Sequence, residues 1–364
     1  VSKPQSQKPR RKNTLPFERS LLEFHDWYRT KQRVLPWRSE PTPYRVWISE
    51  IMLQQTQVVT VIPYFEKFIS RFPTVEELAR APSEEVMIHW AGLGYYSRAR
   101  NLHKGAQKIL ELGRFPQSRD EWITIPGVGP YTAGAISSIS LNQAEAILDG
   151  NVERVWSRLF RMNRAGGDAV YRNRLWGLSG RSVRWAAHVG MPPREFNQAL
   201  MELGATVCTP RKPKCAECPL VSLCRANQEG DAEAYPPRKA PKEWVRVQER
   251  DVWIRRPDGR VLVEKRAPGE WRAGLWDLPR AAPVSGLAAV GEVVSKHVVT
   301  RHKITRTTHV YSLKKDSWQA AEGGVSEYRW INPEEPEVAL GSAFRRVYRA
   351  VSALTQPKSD SARD

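Results

Sequence analysis

The sequence has no apolar run long enough to span a bilayer as a helix, and no segment with the layout of a signal peptide. The first absence excludes a helical membrane protein. The second sets the expectation of an intracellular protein without disulfides, although a chain that begins at Val1 leaves an initiator residue or a longer leader open. Cysteine is scarce, with four in 364 residues, yet all four fall between positions 208 and 224. Acidic residues are also in short supply: 39 Asp and Glu face 57 Lys and Arg, a formal charge of +18. An excess of that size repels itself in a compact fold, so the expected partner is a polyanion, with nucleic acid the first choice. Part of it sits in Lys3–Lys12, which holds five basic residues and no acidic one. Residues 1–14 therefore read as a disordered basic tail, and 356–364 as a second disordered tail.

A chain of 364 residues exceeds what one hydrophobic core usually holds, which predicts two domains. From Leu15 to Leu203 the periodicity is helical: Leu21, Leu22, His25 and Tyr28 recur at helix spacing, as do Val152, Val155, Trp156, Leu159 and Phe160. Short Gly and Pro punctuation, such as Pro126-Gly127-Val128-Gly129-Pro130, separates these segments. Residues 15–229 are thus expected to form a mainly α domain. Residues 230–244 include Tyr235-Pro236-Pro237-Arg238-Lys239-Ala240-Pro241, which is too proline-rich for a helix interior and reads as a linker. Beyond it the period changes. Val245, Val247, Val252, Ile254, Val261 and Val263 alternate with polar residues around a Pro257-Asp258-Gly259 turn, and a last helix is predicted from Ser342 to Ala353. Residues 245–355 are expected to be a smaller α+β domain.

The cysteines are spaced Cys208-x6-Cys215-x2-Cys218-x5-Cys224. Four thiolates this close can wrap one metal centre, and soft sulfur donors select zinc or iron–sulfur. Zinc ribbons use two close pairs separated by a longer knuckle. Here the pairs are uneven and Pro210, Pro213 and Pro219 bend the chain between them, which favours a four-iron cluster over zinc. Arg211, Lys212, Lys214 and Arg225 lie among the ligands, a composition suited to clamping phosphates.

Two carboxylates stand out. Asp149 follows Gly129 by twenty residues and has the position of a helix N-cap, which Asp suits. A capping carboxylate is also held ionised in one place, as a cationic transition state requires. Glu50 lies in the strongly apolar segment Trp47-Ile48-Ser49-Glu50-Ile51-Met52-Leu53, where burial would raise its pKa toward that of a general acid. A solvated helix edge is the ordinary alternative for a lone glutamate.

The segment from Ile125 to Ala133 resembles a helix-hairpin-helix element in which Gly127 and Gly129 permit a tight turn facing a phosphate. Hairpin, aspartate and cysteine run occur in this order in the helix-hairpin-helix DNA glycosylase superfamily. The cysteine spacing is that of its endonuclease III and MutY branches. Trp47–Gln57, Leu35-Pro36-Trp37-Arg38 and Gly92–Arg100 resemble the MutY-type adenine DNA glycosylases, and the likeness runs from residue 15 to 225.

That resemblance implies double-stranded DNA carrying adenine opposite 8-oxoguanine or guanine as substrate, a [4Fe-4S] cluster held by Cys208, Cys215, Cys218 and Cys224, and a monomeric enzyme. It implies that Glu50 protonates adenine, that Asp149 stabilises the sugar cation, and that Tyr131 and Asn151 support the pair. Arg33, Trp37 and Glu202 correspond to the adenine pocket. Arg38, Gln55, Thr56, Tyr95, Gly127 and Gly129 correspond to DNA contacts, with Gln55 and Tyr95 wedging where the base has left. Bifunctional relatives carry a lysine where this chain has Tyr131, and a phenol forms no Schiff base, so hydrolysis without strong lyase action is expected. The resemblance also implies a Nudix (MutT-like) second domain that reads 8-oxoguanine. Trp271–Pro279 fits its strand and loop, while residues 280–300 hold only Glu292 as an acid, which argues against diphosphate hydrolysis. The reading loop of the family runs aromatic, serine, histidine; this chain has Val299-Thr300-Arg301-His302, so His302, with Thr300 or Arg301, is the candidate reader, and an exposed basic hairpin touching phosphate is the alternative. The rival assignments are an endonuclease III-like pyrimidine-lesion glycosylase with lyase activity and a catalytically silent DNA-binding protein.

Overall fold

The computed structural model describes residues 16–237, 243–267, 269–280, 284, 287–313 and 327–355. Both tails read as disordered, and residues 238–242 of the expected linker, lie outside the described residues. Thirteen α-helices run through the described chain: α1 Pro16–Lys31, α2 Pro43–Leu53, α3 Val58–Arg71, α4 Val75–Arg80, α5 Ser83–Trp90, α6 Ser97–Leu112, α7 Arg119–Ile123, α8 Pro130–Leu141, α9 Gly150–Leu159, α10 Gly167–His188, α11 Pro193–Thr206, α12 Arg225–Gln228 and α13 Ser342–Thr355. Six strands fall between the last two: β1 Val245–Arg255, β2 Val261–Lys265, β3 Trp276–Asp277, β4 Ala288–Val299, β5 His302–Ser312 and β6 Tyr328–Ile331. None of the described helices is long and apolar enough to cross a membrane. Among the described residues, packing gives two compact units, one of residues 16–51 and 113–237, the other of residues from 52–112 and from 243–355.

The first unit is built around α8. Pro130 at its first position suits a helix start, and every residue from Thr132 to Ile139 is buried, the signature of a helix enclosed on all sides. Trp47 of α2 meets Trp122 of α7 with ring centres 6.0 Å apart, both fully buried. The helical spacing holds, but two of its apolar positions lie off the buried faces. Leu22 is 65% exposed, because the inward face of α1 is set by Leu21, Phe24 and Tyr28 and one residue's 100° turn carries Leu22 off it. Phe160 is 38% exposed because α9 ends at Leu159 and Phe160 caps it outside the buried stripe.

In the second unit a mixed sheet has the order β3-β2-β1-β5-β4, with β6 also paired to β2. β1 and β5 run parallel from Val245↔His302 to Arg255↔Ser312, and β4 returns antiparallel along β5. One face packs on α13, where Trp253 stacks with Phe344 at 5.8 Å and Tyr348 at 6.0 Å. Helices α5 and α6 belong to this unit. Glu84 accepts from the Trp276 indole at 3.0 Å, the Tyr96 hydroxyl donates to the Leu340 carbonyl at 3.3 Å, and Arg100 donates to the Ala273 carbonyl at 2.8 Å.

An ion network is buried in this sheet. Asp277 accepts from Arg306 at 2.7 Å and Arg272 at 2.6 Å; Arg306 also pairs with Asp251, which accepts from the Thr308 hydroxyl at 2.6 Å. Burial opposes charge on Asp277, but Arg306, Arg272 and Arg266 outweigh it and hold its pKa below the usual value. Stability from this group is therefore present above the ordinary aspartate pKa and lost as acid protonates it. Asp277→Asn should destabilise the protein by about 3–5 kcal/mol at neutral pH, because it strands buried guanidinium charge. The difference should shrink in acid. Denaturant unfolding across pH measures it, and equal stability at neutral pH would contradict the network's role.

Candidate active site

Glu50 and Asp149 are brought together by α2, the α8 entry and the start of α9. Glu50 lies on the inner face of α2 and is 6% exposed, with Trp47, Ile48, Ile51 and Met52 of the same helix also buried. The solvated-edge alternative therefore does not describe it. Burial pushes its carboxyl up to about 7, and the charge of nearby Asp149 pushes the same way, against the Tyr131 hydroxyl and Arg38.

Asp149 caps α9: its backbone is extended, and its carboxylate accepts from the Val152 N–H at 2.7 Å and from Asn151 Nδ2 at 3.0 Å. Burial raises its pKa, and these donors together with Arg154 oppose that rise. Tyr131 stands in the first turn of α8 beside both carboxyls, and burial followed by their charges raises its pKa further. Its hydroxyl lies 3.4 Å from Met201 Sδ. At the hairpin before α8, Gly127 has φ +81°, a conformation that excludes most side chains, and Gly129 caps the helix without a side-chain partner.

Glu202 on α11 is fully buried and accepts from Arg33 Nε at 2.6 Å and Arg38 Nη2 at 2.7 Å. Burial alone would raise its pKa, but the two guanidinium groups more than offset that and keep it charged. Arg38, expected on DNA, is thus engaged inside: its other amino group donates to the Arg33 carbonyl at 2.9 Å. Trp37 is buried beside this stretch.

Three arginines carry structure that the sequence reading did not assign. On α9, Arg154 donates to Asn151 Oδ1 at 2.8 Å, the Gly204 carbonyl at 2.6 Å and the Cys208 carbonyl at 2.6 Å. One turn on, Arg158 donates to the Thr209 carbonyl at 2.7 Å and lies 3.3 Å from Cys208 Sγ. Two arginines four residues apart on the apolar face of a helix were the available signal. In the second unit, buried Arg98 donates to the carbonyls of Met52 at 2.7 Å, Gln54 at 2.6 Å, Leu93 at 3.2 Å and Gly94 at 3.1 Å, and to the Thr56 hydroxyl at 3.1 Å. Burial lowers its pKa to about 10. It ties together two turns whose tips are Gln55 at φ +58° and Tyr95 at φ +49°, both exposed and both in the left-handed region that such residues seldom adopt.

The four cysteines follow α11 directly. They are free and half-buried, and the Cys218 thiol is pushed up to about 12 by burial and then by Cys208, Cys224 and Cys215. The thiols are gathered closely enough to sense one another, although no three His, Cys, Asp or Glu side chains among the described residues surround a single-ion position. An all-sulfur donor set fits an iron–sulfur cluster. At the other candidate reading point, Thr300 turns at φ +53° with its hydroxyl 3.5 Å from His302 Nδ1, and His302 meets the Trp271 ring edge-on at 4.9 Å.

This combination defines a base excision repair glycosylase with an iron–sulfur loop. Residues 48–178 match the HhH-GPD superfamily of base excision DNA repair proteins, and residues 208–224 match the iron–sulfur binding domain of endonuclease III. The adenine DNA glycosylases of Rattus norvegicus and Homo sapiens are each 34% identical to this chain over 92% of it and over 77% and 73% of their own lengths. The chain belongs to the adenine DNA glycosylase family. A thermostable thymine-DNA glycosylase is 29% identical with a TM-score of 0.50, covering 58% of this chain and 96% of that one. The cysteines accordingly hold a four-iron, four-sulfur cluster, and the chain is a DNA-acting glycosylase.

Two outcomes follow from the packing. A Cβ on Gly204 would meet Asn151 Cβ at 2.5 Å and its Cα at 3.0 Å, so the approach of α11 to α9 at this point leaves no room for a side chain. Gly204→Ala should cost about 1–3 kcal/mol and slow single-turnover base excision; an unchanged rate and melting temperature would contradict the close approach. Because folding raises the Glu50 pKa from 4.5 to about 7, ionisation of Glu50 weakens the fold as pH rises through that window. Glu50→Gln should therefore be more stable than the parent above pH 7, by on the order of 3 kcal/mol, with the gain vanishing below the ordinary glutamate pKa. Melting curves across pH test this, and a pH-independent difference would contradict it.

Proposed function

We propose that this chain is a monomeric, monofunctional glycosylase that hydrolyses the N-glycosidic bond of adenine opposite 8-oxoguanine, or opposite guanine, in duplex DNA. The observation that carries the reading is a carboxyl held near pKa 7, Glu50, facing a capped and hydrogen-bonded carboxylate, Asp149. Burial raises both carboxyls, but Asp149 alone is met by a backbone N–H and an amide that favour its charged form, so the two can divide the work of acid and anion.

The extruded adenine enters beside Arg33, Trp37 and Glu202, and protonated Glu50 gives its proton to N7. The C1′–N9 bond then breaks, its electron pair stays with N9, and adenine departs as a neutral base. Positive charge at C1′ is met by Asp149, which either stabilises it or bonds to it. Water adds to C1′, displacing the Asp149 carboxylate where that has bonded, as the water's proton returns to Glu50, leaving an abasic sugar. Tyr131 hydrogen-bonds within the pair and offers no amine for a Schiff base, so the strand stays intact. Asn151 holds Asp149 in orientation.

Gln55 and Tyr95, on turns tied by Arg98, fill the stack that the adenine leaves, and Thr56 faces the opposite base. Residues 15–229 act as the catalytic domain. Residues 245–355 act as a Nudix-like reader, with His302 contacting 8-oxoguanine.

Duplexes with one adenine opposite 8-oxoguanine, treated with alkali after incubation, give a direct test. The parent chain should produce alkali-labile sites at that adenine and no cleavage without alkali. Glu50→Gln and Asp149→Asn should bind duplex normally and lose nearly all excision. Absence of the alkali-labile site, or borohydride trapping at the rate of base loss, would overturn the proposal.

A further inference from the structure

The loop from Val299 to His302 brings no aromatic ring of its own, yet His302 is not without one. Trp271, from the loop before β3, sets its ring 4.9 Å from that of His302 at an interplanar angle of 68°. It remains 37% exposed, so part of this large ring stays open to solvent beside His302. A tryptophan on a mobile loop would mean little. This one is held by its neighbours: Arg272 pairs with Asp277 at 2.6 Å and with Glu249, the Ala273 N–H donates to the Glu270 carbonyl at 3.1 Å, and the Gly274 N–H donates to the Arg266 carbonyl at 2.9 Å. Those bonds anchor the loop to the buried ion network, so the ring is preorganised.

The opposite face of the same sheet end is basic. Strand alternation places Arg246, Lys303, Lys296 and Val298 there, around a cavity of about 410 Å³. Trp244, 54% exposed, carries Lys303 Nζ 4.7 Å from its ring centre. Basic groups beside exposed rings fit a nucleic-acid strand, with charges tracking phosphates while a ring receives a base. Between the two faces lies the turn of Thr300 and the exposed Arg301.

We infer that Trp271 is a specificity-determining residue that stacks on the base opposite adenine while His302 hydrogen-bonds its edge. This rests on the reading of His302 given above and supplies what that reading lacks, a π-surface for the 8-oxoguanine ring. Stacking on a rigid ring also makes the histidine's position definite, because the same ring fixes both.

Equilibrium binding of the full chain, in a Glu50→Gln background that does not turn over, tests the inference on duplexes with adenine opposite 8-oxoguanine or guanine. Trp271→Leu keeps apolar bulk without a ring, and Trp271→Phe restores a ring. The Leu variant should lose about ten-fold in affinity for the 8-oxoguanine duplex and clearly less for the guanine duplex, with Phe recovering most of the loss. Equal losses on both duplexes, no loss on either, or failure of Phe to recover would overturn the role of Trp271. His302→Ala separates the two ideas. If it narrows the gap between duplexes while Trp271→Leu does not, only the tryptophan assignment fails. If the parent chain does not excise adenine opposite 8-oxoguanine, the proposed function fails instead.

Discussion

A carboxyl group removed from water and set near a second carboxyl ionises reluctantly, and the first unit is arranged around that constraint. The apolar residues of α2 enclose Glu50, while Asp149, at the start of α9, receives the Val152 N–H, the Asn151 amide and the field of Arg154. One carboxyl thus keeps its proton up to about pH 7 and the other is supplied with donors that favour its charge. Helix α8, buried from Thr132 to Ile139, carries Tyr131 beside both, and Gly204 gives α11 the clearance to close against Asn151.

The cysteine loop joins this arrangement through α9. Arg154 and Arg158 reach the carbonyls of Cys208 and Thr209 from the helix whose N-cap is Asp149. Hydrolysis of a glycosidic bond is redox-neutral, so the chemistry itself draws no electrons from a cluster. What the cluster's ligands offer the site is a fixed loop against which two buried guanidinium groups can rest. Glu202 shows the same economy on α11: its charge is tolerated at zero exposure because Arg33 and Arg38 converge on it.

In the second unit the buried Asp251, Asp277 and Arg306 set plays a comparable part for the sheet and the loop before β3. Arg98 does so for the turns bearing Gln55 and Tyr95, using carbonyl acceptors in place of a carboxylate. At Gln55 and Tyr95, exposed residues with left-handed backbone are backed by one buried cation with several hydrogen bonds. Such backing is what allows a left-handed non-glycine residue to persist.

Much of this was legible in the chain itself. Helical periodicity through Leu203, the change of period at Val245, the Gly127 and Gly129 hairpin, the capping position of Asp149 and the cysteine spacing are local signals, set by steric and hydrogen-bonding rules that act over a few residues. They sufficed for fold class and cluster, while the family came from the resemblance of segments such as Trp47–Gln57 and Gly92–Arg100 to those of known glycosylases. Which of the helix-spaced residues face inward was not legible at that level: Leu22 and Phe160 match the period and are exposed, because a periodic match tolerates a one-residue offset that burial does not. The burial of Glu50 beside Asp149, the turning of Arg38 toward Glu202, the reach of Arg154 and Arg158 to the cysteine loop, and the meeting of Trp271 with His302 were decided only by tertiary structure. Each joins residues far apart in sequence, and a side chain's pKa or direction depends on what the folded chain brings against it.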